Sequence, residues 1–359
     1  MRRSPASDIP ARFEGKVDLL GFSSLNRRST RLCVVFYRRD YPEESAFPES
    51  LAGFRSQDNL TQPAESRIWV GSRIGVRLSC WANQGLLETT MNQHRKKIGA
   101  VSYLNTKPLV AGLEAVGERY ELIFDLPSRL ADRLASGELD VALIPSVEAT
   151  LNPDYRIVSD ACIGCCGPVW SVKLLSKVPP QQIKTLALDE GSRTSRALTR
   201  VILANKYDCR PELSNLSMED DWRDAKTDAV LVIGDRAMKL DGGSFEHQWD
   251  LGEAWNQWTG LPFVFAMWVA REEDQLDFLS GLLSDARDRG LQQLDHLVSE
   301  NHTPYGLSRE QCEDYLKNRL HFWLRAEEKK ALSLFFDYAS KLSIVPQDTE
   351  LEFHDCQTA

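Results

Sequence analysis

A two-lobed α/β fold with a ligand cleft between its lobes is what this sequence predicts, and three observations predict it. From Lys97 onward, short apolar runs alternate with helical stretches, as at residues 98–101, 140–144, 183–188 and 229–233. Runs without polar alternation suit strands buried on both faces, as in a parallel sheet covered by helices. The rhythm stops at Pro179-Pro180 and then restarts, so there are two such units. The apolar run 263–269, just after Leu261-Pro262, is placed to cross back into the first unit. Two crossovers between two lobes make a cleft, and ligands of such sheets lie off the carboxyl ends of the strands.

Taken in order, the first 90 residues stand apart. They hold 13 basic against 10 acidic side chains, whereas the remainder holds 30 against 42. Only residues 31–37 and 68–78 suggest strands, with Ser, Pro, Asn and Arg filling the gaps. Residues 1–94 therefore read as a poorly ordered extension, or as a start placed too early with Met91 opening the folded unit; a regulatory arm is the functional alternative. Beyond them, 97–103 reads as a strand, 108–116 as a helix, 119–125 as a strand and 127–136 as an amphipathic helix with Leu130 and Leu134 on one face. A strand at 140–144 is closed by Pro145-Ser146, and another is expected at 167–175. After 183–188 the chain turns at 189–192 into a helix at 193–207, and the strand 229–233 ends in Gly234-Asp235. Three helices close the chain, near 272–299, 308–324 and 327–342. The expected division is 95–176 plus 264–345 for the first lobe, 177–263 for the second and 346–359 for a tail.

Composition narrows the function. With 42% apolar residues, 9 Trp and 14 Phe in 359 residues, the chain can build a sizeable core. A net charge of −9 argues against nucleic acid or an acidic membrane as partner, since both need a basic face. The longest apolar candidate for a span, residues 261–270, is too short and contains Pro262. Arg2 and Arg3 are not followed by a continuous apolar core, because Asp18 interrupts the nearby run, so no secretory signal is expected. Eight Cys without paired spacing suit a reduced, cytoplasmic protein.

The residues with chemistry sit where strands hand over to helices. Ser102, Asn105 and Thr106 follow the first strand, and Pro108 suits a first helical turn whose free amides Thr106 or Asn105 can cap. Asp189-Glu190-Gly191-Ser192-Arg193-Thr194-Ser195 sets three hydroxyls and a guanidinium at a helix start, a natural seat for a carboxylate. Plain capping by Ser192 or Thr194, with Arg193 solvated, is the other reading, and the spacing leaves both open. Ser171 alternates with Val172 toward a cleft; Gly234-Asp235 is either a close-approach position or a turn. Cys162, Cys165 and Cys166 lack a fourth ligand at zinc-like spacing and read as small buried thiols. The six His form no metalloprotease or triad pattern, so no metal is expected. Trp255, Trp258, Phe263, Phe265 and Trp268 read as core and cleft wall.

Together, Ser102-Tyr103-Leu104-Asn105, Gly167-Pro168-Val169-x-Ser171-Val172, Gly191-Ser192-Arg193-Thr194-Ser195, Gly234-Asp235 and the run from Asp250-Leu251-Gly252 to Phe263-Val264-Phe265-Ala266 resemble one family. It is that of the chorismate dehydratases, which open the futalosine route to menaquinone on a type II periplasmic-binding-protein fold. The resemblance covers about 95–345 and has no counterpart for the first 90 residues. It implies loss of water from chorismate, a small dianionic substrate, to give 3-[(1-carboxyvinyl)oxy]benzoate, with no metal or organic cofactor. It also implies Asn105 as the catalytic residue and Ser102, Ser171, Ser192, Arg193, Thr194, Ser195, Gly234 and Asp235 as substrate-binding. The nearest alternative enzyme is the 1,4-dihydroxy-6-naphthoate synthase of the same pathway, whose first-strand motif differs from Ser102-Tyr103-Leu104-Asn105. A non-catalytic solute-binding protein and a regulatory domain sensing an aromatic metabolite are the readings from other classes.

Overall fold

In a computed structural model the described residues are 34–36, 65–70, 74–79, 95–113, 120–240, 245–271, 276–347 and 351–354. Residues 1–93 and 94–359 form separate units. In the first, β1 (Val34–Phe36), β2 (Glu65–Val70) and β3 (Ile74–Ser79) make an antiparallel sheet in the order β1-β3-β2. The strand expected at 31–37 is thus β1, and the one expected at 68–78 falls on two strands, β2 and β3, that pair antiparallel. The rest of the expected extension lies outside the described residues.

The second unit carries two sheets. The first has six strands, β4 (Lys96–Val101), β5 (Tyr120–Asp125), β6 (Val141–Pro145), β7 (Tyr155–Cys165), β13 (Phe263–Arg271) and β14 (His321–Trp323), in the order β14-β7-β13-β6-β4-β5. The second has five, β8 (Val172–Ser176), β9 (Thr185–Asp189), β10 (Glu212–Leu216), β11 (Ala229–Ile233) and β12 (His247–Asp250), in the order β10-β9-β11-β8-β12. The expected parallel sheets prove mixed. Strands β4, β5 and β6 are parallel, as are β9, β10 and β11, but the returning β13 runs antiparallel between β6 and β7, and β8 antiparallel to β11. A strand that returns directly from the other lobe has no crossover helix to reverse it, which is why β13 enters antiparallel. The boundary moves as well: Val172–Ser176, expected in the first lobe, pairs with β11 and β12 in the second sheet.

Helices cover the sheets where the sequence supplies an apolar face. In α1 (Pro127–Ala135), Pro127 occupies the first turn and Leu130, Ala131 and Leu134 are buried. Helix α2 (Arg193–Tyr207) starts at Ser192, whose side chain accepts from the Ser195 amide, and ends at left-handed Asp208. Asp250 likewise caps α3 (Leu251–Thr259), which ends at Gly260 with φ 71°. The helix expected at 272–299 is two, α4 (Leu276–Gln292) and α5 (Leu294–Asn301). That expected at 308–324 is α6 (Arg309–Asp314), a wide π turn at Tyr315–Arg319 and β14; α7 (Ala326–Lys341) closes the unit. The helix expected at 108–116 is instead a 3-10 turn, Leu104–Val110, and 114–119 lie outside the described residues.

The larger of two apolar cores runs through both lobes, with Trp255, Phe263 and Phe335 meeting edge to face where they join, and a smaller one lies within the second lobe. Trp268 is buried and Trp258 stacks on Tyr338, so the aromatic cluster is core as expected. Of the three clustered thiols, Cys162 and Cys165 are buried, but Cys166 is exposed, because it follows the last residue of β7. Among the described residues no group of three or more His, Cys, Asp or Glu is placed to hold a metal, and no helix is long and apolar enough to cross a membrane.

Candidate functional site

A cleft lies between the two sheets, with about 470 Å³ of empty space when its open mouth is counted. Val101 ends β4, Pro127 opens the helix after β5, Ile233 ends β11 and Ser192 follows β9, so the cleft occupies the carboxyl ends of the parallel strands. Ile163, Val169, Val172, Phe265 and Ala266 form an apolar floor where the chain passes between lobes. The polar lining is Tyr103, Asn105, Ser171, Ser192 and Ser195. No carboxylate, imidazole, ammonium or guanidinium stands among these lining residues.

A hydrogen-bond relay orders the first part of that lining. The buried Tyr315 hydroxyl donates to Ser171 Oγ at 2.9 Å, and the Asn105 side chain lies close enough to act on the same phenol. Thr106 Oγ1 donates to Asn105 Oδ1 at 3.4 Å. Ser171 accepts from Tyr315, which leaves its own proton free to donate. Such chained bonds polarise one another in a dry site. Burial, foremost, holds the Tyr315 phenol well above its ordinary range, so it remains a donor. Tyr315 comes from the π turn far along the chain, which is why no local sequence signal marked it. Single π turns recur at functional sites.

The second part is the start of α2. Ser192 Oγ lies 3.0 Å from Ser195 Oγ and accepts from the Ser195 amide at 3.3 Å. With the positive end of a 15-residue helix behind them, these hydroxyls suit an anionic oxygen. The remaining residues of the motif face elsewhere. Arg193 reaches the first lobe, bonding Asp132 of α1 at 2.8 and 2.9 Å and Glu148 at 3.1 Å. Thr194 is buried against the first lobe, with Ser146 Oγ at 3.2 Å and the Val147 amide donating to it at 3.1 Å. These two expected substrate ligands thus tie the lobes together outside the cleft. Helical geometry explains the split, because residues 192 and 195 share a face while 193 and 194 turn away from it.

Gly234 lines the cleft with φ +69°, and a Cβ there would lie 2.9 Å from two atoms of the Tyr103 ring. Asp235 does not line it but accepts from the Leu104 amide at 3.4 Å, at the start of the 3-10 turn. Burial pushes the Asp235 carboxyl up to about 6. Ser102 has an exposed side chain, and its carbonyl accepts from Tyr305 at 3.2 Å. Ser102 does not stand among the cleft-lining residues. Under the floor of the second lobe, fully buried Asp189 accepts from Arg236 and from the Gly191 and Ile233 amides, fixing the turn before α2.

Comparison with known proteins follows this geometry. Residues 96–341 match the model of a family described as menaquinone biosynthesis. The chain is 29% identical to the chorismate dehydratase of Thermus thermophilus over 262 residues, 66% of this chain and 92% of that protein. It is 29% identical to the chorismate dehydratase of Campylobacter jejuni over 164 residues, 46% of this chain and 58% of that protein. Among solved structures, protein AF1704 from Archaeoglobus fulgidus matches with a TM-score of 0.58 at 16% identity, over 71% of this chain and all (100%) of that one. The periplasmic aliphatic sulphonate binding protein SsuA from Escherichia coli matches with a TM-score of 0.50 at 15% identity, over 71% and 94% of the two chains. These likenesses show the fold, which is the expected periplasmic-binding-protein-like one.

Proposed function

The chain belongs to the menaquinone biosynthesis family, and we propose that within it this protein is a chorismate dehydratase, an enzyme that eliminates water from chorismate to give 3-[(1-carboxyvinyl)oxy]benzoate. The observation that carries the reading is a cleft rich in neutral donors and lacking any basic side chain in its lining. Chorismate has two carboxylates, a hydrogen on its ether-bearing carbon and a neighbouring hydroxyl. Losing that hydrogen and that hydroxyl makes the ring aromatic. With no basic side chain in the lining, the enolpyruvyl carboxylate of the substrate itself takes the proton. The electron pair of the broken C–H bond enters the ring, the C–O bond breaks, and the hydroxide leaves as water once protonated.

The protein's part is to hold and orient. The Ser192 and Ser195 hydroxyls at the start of α2, with Ser171, seat carboxylate oxygens. Asn105, beside Tyr315, aligns the enolpyruvyl carboxylate with the C–H bond and hydrogen-bonds the departing hydroxyl or the charge growing in the ring. No step calls on a metal or organic cofactor. Purified full-length protein mixed with chorismate, without added metal, tests this by mass and ultraviolet spectrum. Loss of one water with appearance of the aromatic product is the expected result. Chorismate bound but unchanged would replace the enzyme with a binding protein.

A further inference from the structure

We propose that Tyr103 is a substrate-binding residue whose hydroxyl donates a hydrogen bond to an acceptor oxygen of the bound substrate. The proposal rests on the dehydratase reading and adds to it a contact from the first lobe. Tyr103 lies between β4 and the 3-10 turn that carries Asn105, and it lines the cleft. Its ring enters between two glycines of the second lobe. A Cβ at Gly234 would stand 2.9 Å from two ring atoms, and a Cβ at Gly191 would stand 3.0 Å from the hydroxyl oxygen. A Cβ at Gly234 would require the ring to shift, and one at Gly191 would press on the hydroxyl and on Met218 Sδ, so the hydroxyl packs closely at the turn that leads into α2.

At that point the hydroxyl is buried and has no hydrogen-bond partner among the described residues. A buried hydroxyl without a partner weakens the fold by itself, and native proteins keep few of them. The two nearby carboxylates are engaged otherwise. Asp189 accepts from Arg236 and two backbone amides, and Asp235 from the Leu104 amide. Burial first, and then the charges on Asp189 and Asp235, hold the phenol above its ordinary range, so at neutral pH it is a donor. A rigid O–H beside the cleft is thus left without a partner among the described residues. A site built around such a donor rejects ligands that lack the matching acceptor.

The test is Tyr103→Phe in the full-length chain, which keeps the clasped ring and deletes only the hydroxyl. The melting temperature is expected to stay level or rise, because the lost group has no protein partner. The KM for chorismate is expected to rise roughly ten- to hundredfold with kcat nearly unchanged, the sign of a bond made equally in ground and transition states. A lower melting temperature would make the hydroxyl structural and overturn the proposal. So would unchanged kinetics, or a fall in kcat at constant KM. Wild-type protein that leaves chorismate unbound would overturn the dehydratase reading first, and the proposal with it.

Discussion

Replacing Arg193 with Ala separates two roles for that side chain, a substrate ligand at a helix start or a tie between the lobes. The structure makes it a tie, with Glu148 Oε2 at 3.1 Å and Asp132 Oδ1 at 2.8 Å. The Glu148 side chain is only 13% exposed, against 65% for Asp132, so the two bonds differ in worth. At this separation and an effective dielectric near 20, the attraction to Glu148 is about 5 kcal/mol, and desolvation offsets much of it. Burial indeed still raises the Glu148 carboxyl above its ordinary range, despite Arg193 beside it. Removing the partner leaves a buried carboxylate and should cost about 2–3 kcal/mol, with Asp132 adding about 0.5 kcal/mol. For a unit of this size the melting temperature should drop by roughly 5–10 °C. The pH dependence fixes the cause. A carboxyl whose folded pKa lies above its unfolded value stabilises the fold below the unfolded pKa and loses that contribution as pH rises through the folded one. The deficit of Arg193→Ala should therefore be largest near pH 8 and shrink toward pH 4, and adding Glu148→Gln should recover about 1–2 kcal/mol in a double-mutant cycle. Thermal and urea unfolding of the four proteins measure this. Unchanged stability, combined with loss of chorismate binding, would refute the tie and return Arg193 to the substrate.

Asn105→Ala should fold normally, judged by circular dichroism and melting, yet lose roughly a hundredfold or more in kcat, as when one oriented donor is removed from a transition state. Wild-type turnover in that variant would take Asn105 out of the mechanism. Tyr315→Phe breaks the relay while keeping the ring, and it should lower kcat about tenfold. A melting loss with intact kinetics would leave Tyr315 purely structural. Asp235, raised to about 6 from 3.8, loses its favourable contribution as pH climbs from about 4 to 6, so Asp235→Asn should gain about 3 kcal/mol on the wild type between pH 4 and pH 8. Parallel stability curves across that range would show that Asp235 titrates normally.

The parts of the fold legible in the sequence are those where burial dictates composition. Val141–Pro145 and Ala229–Ile233 are buried at every position, and each reads as an uninterrupted apolar run. Strand β7 was not legible, because Arg156, Ser159 and Asp160 interrupt it and its small Cys and Gly lack the β-branched signature. Edge strand β10 is exposed at four of five positions, so no core pattern marks it. Among the cleft-lining residues, Asn105, Ser192, Ser195 and Gly234 were legible because each lies in a turn or helix start after a strand, whereas Ser171 stands just before β8 rather than within the strand expected at 167–175. Arg193 and Thr194 were misplaced for want of helical phase, which residue type does not reveal. Tyr103 and Tyr315 owe their places to contacts across more than 80 residues of chain, with Gly191 and Gly234 for one and Ser171 for the other.

Phe263 of β13 stands in register opposite Cys165 of β7 in the first sheet. Cα atoms of such facing residues are only about 5 Å apart. The whole second lobe therefore leaves and re-enters through a gap that a tight turn could span, and in topology it is the connection of a hairpin enlarged into a domain. Exchanging it for another version would leave the six-stranded sheet uncut. The cleft would reappear at the same doorway, with Asn105 and Tyr315 supplied by the constant part and Ser192, Ser195 and Gly234 by the interchangeable one. A scaffold joined in this way draws the two walls of its cleft from two separately replaceable parts, so one wall can change without the other.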